Sequence, residues 1–579
     1  MTVSEYIFDF LHSKGCDTVY MVSGSSSMWL TDALCRNHDM KAVCCHHEQA
    51  AAMAADCYGR LNPAPGVCLA TIGPGATNTI TGVAGAYLDS SPVFVLTGQA
   101  NSRLVQYQKA TGIRQHGTQS LLLDNMVSPI TKYFCCLENA QDIVQVMNDA
   151  YQAAMSGRKG PVWIDIPIDL QNKQITVSDG VPDGQSAPFD VVPPSAQMMQ
   201  QLLDAKRPLI LAGAGVRNGQ AIDLLRQLSD RFDIPVVTSR GGIDVIPSNA
   251  PNFIGRPGSY GDRASHFSIQ QCDFLLILGS RLSVSTTGYY PQRFGLHAYK
   301  VMVDIDQKEL DKPDVPVDEA VCCDVSAYLT EVLNQLPSSP PAAWGQWRDH
   351  CVALRNQYPT VLPHYSHETP LNSYYFVHLL STLAPNNANI VVDTGSVCNI
   401  VSQSWELKEG QRYLISGGLS AMGFWAGILG CAQLGRQLIA LSGDGSVQMN
   451  VQEFATIHYN HLPVKLFVFQ NHGYMLIRHN QHNYMNDRFL GVGPDSGLET
   501  PNFCKVAEAY GIKSCTISAG DDLSSKIREV LACNEAVVCQ VEVQIFGDLA
   551  PRIASRVMPD GSLKAAEFDD LYPFLNQDE

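Results

Sequence analysis

At 579 residues the chain is too long for a single hydrophobic core and divides into about three to four units. Its 45% hydrophobic and 16% charged residues belong to a compact globular protein and exclude intrinsic disorder. A formal net charge of −17, spread without an acidic block or a basic stripe, argues against nucleic acid and leaves any anionic substrate to a local dipole or metal.

The N-terminal MTVSEYIFDFLHSKG carries acidic residues and no continuous apolar stretch, so no export signal is expected. The 18 cysteines are scattered without a C-x-x-C and include the adjacent pairs Cys44-Cys45, Cys135-Cys136 and Cys322-Cys323, which predicts a reduced, cytoplasmic setting. KAVCC predicts a short strand and the Ala-rich run beginning at Glu48 a helix; by itself Glu48 reads as an acid in a first helical turn. Cys44, Cys45, His46 and His47 alternate faces along that strand and do not converge on a zinc ion. VCLAT, PVFVLTGQ and VWIDIPID follow as strands, with a tight turn at Gly73, Pro74 and Gly75.

A Pro-, Gly- and Ser-rich linker is expected around Gly180 to Pro194 and another, LPSSPPAA, around Leu336 to Ala343. Between them RPLILAGAG, FLLILGS and KVMVDID read as strands. Gly213, Gly215 and Gly219 give G-x-G-x-x-x-G, one residue off the dinucleotide fingerprint. Ile415 to Gly435 is uncharged and long enough to raise a membrane span. Its glycines, Ser416, Ser420 and Gln433 point instead to a buried helix with its entry loop. Strands alternating with helices predict an α/β protein of parallel sheets covered on both faces. The expected units are 1–175, 195–340 and 365–550, with a tail at 551–579.

RQLIALSGDGSVQMNVQEFATIHYNHLPVKLFVFQNHGY, from Arg436 to Tyr474, is the most informative segment. A strand ends at Ser442, Gly443, Asp444, Gly445 and Ser446 turn the chain, a helix runs to Tyr459, and a second strand ends at Asn471. Two oxygen-bearing side chains, Asp444 and Asn471, therefore leave the same edge of adjacent parallel strands. Mg²⁺ takes such ligands and completes its shell with phosphate oxygens, while glycines and a helix N-terminus favour the phosphates themselves. A Gly-Asp-Gly triplet alone is also an ordinary turn.

With Asn at that distance, the segment resembles the thiamine diphosphate-dependent enzyme family. The resemblance covers nearly the whole chain and points to the acetolactate (acetohydroxyacid) synthase-like branch, including relatives that transfer an acetyl group to keto-sugars, to which EFDDLYPFL is similar. It implies three doubly wound parallel-sheet domains: pyrimidine-binding, central and diphosphate-binding. It also implies Asp444, the Asn471 side chain and the Gly473 carbonyl as Mg²⁺ ligands, with Gly443, Gly445, Ser446 and Tyr474 lining the cofactor site. HEQAAAMAA-x-x-YGR resembles the segment whose glutamate, here Glu48, tautomerises the aminopyrimidine as a buried acid. Gly73 would shape the pocket, the Ser420 carbonyl would accept from the aminopyrimidine, and Met422 with Ile477 would hold the bent cofactor. Gln119, aligned backwards from ITK, falls beside the reacting carbonyl; a plain surface glutamine is the other reading.

Two departures stand out. Gly395-Ser396-Val397-Cys398 replaces the GQHQ that helps hold the diphosphate, and Asn480 stands where branched-chain synthases carry a substrate-selecting Trp. GSRLSVSTTG resembles a flavin-contacting loop with Arg281 matching, so the central domain either holds FAD or is an empty structural unit. The implied reaction is decarboxylation of a 2-oxo acid, pyruvate first, with ligation of the acyl unit to a second carbonyl compound. Acetyl transfer to a nucleotide-linked keto-sugar, simple decarboxylation and a non-catalytic homologue are the alternatives. The implied assembly is a homodimer or homotetramer with the glutamate and the diphosphate domain on different subunits, and with neither nucleic acid nor membrane as partner.

Overall fold

The computed structural model describes residues 1–177, 191–557 and 563–575; most of the linker expected at 180–194 lies outside them. Three sheets of six parallel strands carry the chain. The first contains β1 (Thr18–Met21), β2 (Lys41–Cys44), β3 (Gly66–Ala70), β4 (Val93–Gln99), β5 (Tyr133–Cys136) and β6 (Val162–Pro167), in the order β2-β1-β3-β4-β6-β5. The second contains β7 (Pro208–Ala212), β8 (Val236–Thr238), β9 (Phe253–Gly255), β10 (Phe274–Leu278), β11 (Tyr299–Asp304) and β12 (Glu319–Cys322), in the order β12-β11-β10-β7-β8-β9. The third contains β13 (Ala388–Val392), β14 (Arg412–Ile415), β15 (Gln437–Gly443), β16 (Val464–Gln470), β17 (Lys513–Ile517) and β18 (Val537–Glu542), in the order β14-β13-β15-β16-β18-β17.

The outer sheets thus repeat one topology, and the central one has the order of dinucleotide-binding folds. Central strands such as β4 and β16 are mostly apolar and are buried along their whole length, as a sheet covered by helices on both faces requires. Each sheet reverses direction at its first strand, and ligand crevices form at the carboxyl edge of such switch points.

Helix Glu48–Leu61 is buried nearly all round, with Ala50, Ala51, Ala52, Ala54 and Ala55 inside. Its small side chains let the third domain approach closely. A Cβ on Gly430 would lie 1.9 Å from the Ala54 carbonyl oxygen, and one on Gly427 2.5 Å from Cys57 Sγ. The uncharged Ile415–Gly435 stretch is accordingly a loop followed by 3₁₀ turns over Phe424–Leu434 packed in this interface, rather than one α-helix. Among the described residues no helix is long and apolar enough to cross a membrane.

The central unit reaches past the expected limit at 340. Helix Ala342–Gln357 lays Trp344 and Trp347 into its core, their indole N–H groups donating to Ala205 and Pro208 carbonyls. The C-terminal segment also returns to this domain: Phe568 stacks on His266 at 4.1 Å, and Arg263 donates to the Leu571 carbonyl at 3.1 Å.

Candidate functional site

In the third domain β15 and β16 pair in parallel as far as Gly443 and Phe469, so Asp444 and Asn471 emerge at one edge. Asp444 is fully buried. Its Oδ1 accepts from the Gly445 N–H at 2.7 Å, and its Oδ2 accepts from the N–H groups of Asn471 and Gly473, both at 3.1 Å. Burial pushes its carboxyl up to about 6, against the lowering effect of the Gly473 and Gly445 N–H donors. The Asn471 Oδ1 is buried and has no hydrogen-bond partner among the described residues. An orphaned, buried amide oxygen costs stability unless something satisfies it, and here it lies beside a buried carboxylate. A hard cation does so, and the oxygen-only donor set suits Mg²⁺.

The diphosphate expectation falls on the same edge. Gly395, with φ +86°, precedes the helix Ser396–Ser404, and a Cβ there would meet nothing within 4 Å, leaving open space over the strand end. At Gly445 a Cβ would lie 2.2 Å from the Tyr474 ring, so only glycine lets Tyr474 close over the turn. Ser446 Oγ accepts from the Gly423 N–H at 3.0 Å, tying the Gly443–Ser446 turn to the loop that carries Ser420 and Met422. Asp393, at the end of β13, accepts from Phe424 N–H (3.0 Å), Thr394 N–H (2.9 Å) and Ser442 Oγ (2.7 Å). Ser420 has φ +55°, and Ile477 is 46% exposed on the helix Met475–Met485 that follows Tyr474.

In the first domain Glu48 opens its helix, 9% exposed, with Oε2 accepting from Asn78 Nδ2 at 2.9 Å. Its neighbour Gln49 donates from Nε2 to the Met422 carbonyl at 3.3 Å. Within the one chain, therefore, the glutamate's helix faces the Met422 loop. The resemblance implies that the glutamate and the diphosphate domain of one site come from different subunits, and the contact seen here is the one within a single chain. Gly73 (φ +61°) and Gln119 (φ +58°) meet: a Cβ on Gly73 would lie 2.7 Å from the Gln119 carbonyl oxygen. The Gln119 side chain itself is exposed.

Arg281 belongs to a different place. It lines a cavity of about 270 Å³ at the carboxyl edge of the central sheet, with Gly215, Arg217, Arg240, Asp304 and Asp324. Gly213, Gly215 and Gly279 are explained by packing: a Cβ on Gly213 would lie 2.2 Å from the Gly279 carbonyl oxygen, and one on Gly215 2.6 Å from Gly279 Cα. The glycine spacing thus brings two strand ends together and does not by itself specify a nucleotide. Sequence reasoning did not identify Asn78, Gln49 and Asp393 as parts of the site, because their partners lie far away in the chain.

Three parallel-sheet domains, the outer two alike in topology and packed together through the Glu48 helix and the Phe424–Leu434 turns, define a class of enzyme that holds a diphosphate cofactor between domains. Residues 1–127 match the thiamine pyrophosphate enzyme N-terminal TPP binding domain, 195–335 the central domain and 393–541 the C-terminal TPP binding domain of that family. The chain is 30% identical to the acetolactate synthase isozyme 1 large subunit of Escherichia coli (strain K12), over 92% of each chain. It is 29% identical to the isozyme 2 large subunit of the same organism, over 96% of this chain and 97% of that one. To a probable acetolactate synthase large subunit of Methanocaldococcus jannaschii it is 29% identical, over 99% and 98%. The chain belongs to the thiamine pyrophosphate enzymes, in their acetolactate synthase-like family.

Proposed function

We propose that the protein decarboxylates a 2-oxo acid, pyruvate first, and ligates the acyl unit to a second carbonyl compound. The observation that carries this reading is the orphaned Asn471 oxygen beside Asp444, in a chain where the Glu48 helix faces the Met422 loop. Thiamine diphosphate, when bound, supplies the nucleophilic carbon and the electron sink. Asp444, the Asn471 side chain and the Gly473 carbonyl hold Mg²⁺; Gly443, Gly445, Ser446, Gly395 and Ser396 take the diphosphate; Tyr474 closes over the turn. Glu48 holds a proton against the pyrimidine nitrogen, with Asn78 fixing its other oxygen. The Ser420 carbonyl, Met422 and Ile477 orient the rings. Gly73 seats the loop from which Gln119 reaches the donor or acceptor. Burial excludes water from Glu48, Asp444 and Asn471.

The exposure of Asn480, where related synthases carry Trp, leaves room for a larger polar acceptor and favours acetyl transfer to a keto-sugar as the second reading. The functional units are 1–175, a central unit from 195 that passes the expected 340 to take in the helix Ala342–Gln357, 365–550 and the tail 551–579, in a cytoplasmic homodimer or homotetramer. Turnover recovered on mixing Glu48→Gln chains with Asp444→Asn chains is expected if subunits share sites, and no recovery contradicts sharing. The central crevice, with Arg217, Arg240 and Arg281 on its wall, suits a phosphate-bearing ligand, and FAD is the one the resemblance implies. A flavin spectrum in the supernatant of denatured protein tests it.

Labelled pyruvate tests the reaction itself. An acetolactate- or acetoin-type adduct, or an acetylated sugar, supports ligation, whereas free acetaldehyde alone rules it out. Glu48→Gln should abolish product formation, and unchanged turnover in that variant removes Glu48 from the mechanism.

A further inference from the structure

The Met422 loop and the Glu48 turn are each gripped by a carboxylate from the other domain. Asp89 ends the helix Pro74–Leu88 of the first domain. Its Oδ2 accepts from the Gly417 N–H and its Oδ1 from the Gly418 N–H, both at 2.8 Å. Arg60 reinforces this fork. It pairs with Asp89 at 3.1 Å, is anchored on the buried Asp56, and donates from Nη1 to the Ile415 carbonyl at 2.7 Å. The close approach needs glycine, since a Cβ on Gly418 would lie 2.5 Å from that of Leu88.

The counterpart runs the other way. Glu453 opens the helix Glu453–Tyr459 of the third domain and is fully buried. Its Oε1 accepts from the N–H groups of His46 and His47, both at 3.0 Å, while Thr456 Oγ1 donates to Oε2 at 2.6 Å. His46 and His47 immediately precede Glu48, and Gly417 and Gly418 immediately precede the turn that carries Ser420 and Met422. The two outer domains share one topology, so the arrangement is reciprocal. Each domain presents a carboxylate to two consecutive backbone amides of the other, a charge-assisted geometry stronger and more directional than neutral hydrogen bonds.

We propose that Asp89 and Glu453 are positioning residues: Asp89 sets the Ser420–Met422 loop and Glu453 sets Glu48, aligning the two halves of the cofactor site from opposite domains. Neither carboxylate touches the reacting atoms. The inference rests on reading Glu48 and Met422 as cofactor-binding residues, and it goes beyond that reading in naming what holds them.

The test uses full-length Asp89→Asn, in which an amide NH₂ replaces one of the two acceptor oxygens, and Glu453→Ala, which removes the Oε1 that accepts from both His46 and His47 N–H. Amide hydrogen exchange of the cofactor-free protein is compared over residues 415–422 and 46–48, with thiamine diphosphate affinity in Mg²⁺ followed by tryptophan fluorescence and kcat measured separately. Asp89→Asn should speed exchange at 415–422 and weaken cofactor binding at least about tenfold. Glu453→Ala should speed exchange at 46–48 and lower kcat about tenfold or more, with KM for pyruvate little changed. Should either variant fail to fold, Gly418→Ala and Thr456→Val strain the same two forks and are read in the same way. Wild-type exchange, affinity and kcat in the folded variants overturn the proposal while leaving the function standing. A wild-type protein that binds no thiamine diphosphate overturns both.

Discussion

The Asn471 backbone N–H donates to the Asp444 carboxylate at 3.1 Å, while the buried Asn471 side-chain oxygen has no partner among the described residues. One residue thus braces the acid through its backbone and leaves its amide oxygen free for a metal. Asp444→Asn, which removes the only charge of the set, should weaken Mg²⁺-dependent cofactor retention by at least the ~10–100-fold typical of losing a metal's supporting partner. Dialysis against a chelator followed by metal analysis checks this; full retention by the variant contradicts it.

A second prediction concerns the interface between the outer domains. Gly430 lies so close to the Ala54 carbonyl that a Cβ would fall 1.9 Å from it. Gly430→Ala must push the 3₁₀ turns off the Glu48 helix, which at the usual cost of overpacking is about 1–3 kcal/mol. A urea midpoint lowered accordingly, with cofactor affinity reduced alongside, is expected; a midpoint equal to wild type contradicts the contact.

The third prediction is a pH dependence. Asp165 lies buried in the first sheet, accepting from Thr97 Oγ1 and Gln99 Nε2, each at 2.8 Å, and burial pushes its carboxyl up to about 7. The folded state therefore binds a proton that the unfolded chain releases near pH 4, so this group's contribution to stability falls as pH rises from about 4 to 7 and is level above. At ~1.4 kcal/mol per pKa unit the effect is on the order of 4 kcal/mol. His266, held down to about 4 by burial, acts in the opposite sense: its contribution is full above pH 6.5 and lost as pH falls through 4. The readout is accordingly the difference between wild type and Asp165→Asn. The variant's stability relative to wild type should rise between pH 5 and 7.5, and parallel profiles contradict the assignment.

The C-terminal strap supplies a fourth. Phe568 is 4% exposed, stacks on His266 and meets Phe294 edge-on at 5.2 Å. Phe568→Ala should cost about 3–5 kcal/mol where the tail meets the central domain, and limited proteolysis should then cut first in the C-terminal segment. Resistance equal to wild type contradicts a docked strap.

The sequence made legible what local periodicity encodes. The strand, turn and helix around Asp444 follow from an apolar run, a glycine turn and a second apolar run, and the spacing to Asn471 places both residues on one edge. The α/β class was readable for the same reason. The partners of Asp89 and Glu453 were not, because backbone amides more than 300 residues away leave no pattern in composition. Nor was the reach of the central domain, since the Pro- and Ser-rich LPSSPPAA masks the two buried tryptophans that follow it. Gly213 and Gly215 looked like a near-miss nucleotide loop because a tight chain crossing and a phosphate cradle both require a missing Cβ.

Calorimetric titration of the cofactor-free protein with thiamine diphosphate, with and without Mg²⁺, probes the strand-edge site most directly. Saturable binding that needs the metal and is lost in Asp444→Asn is the expected result. No heat of binding by folded wild-type protein in excess Mg²⁺ would contradict it.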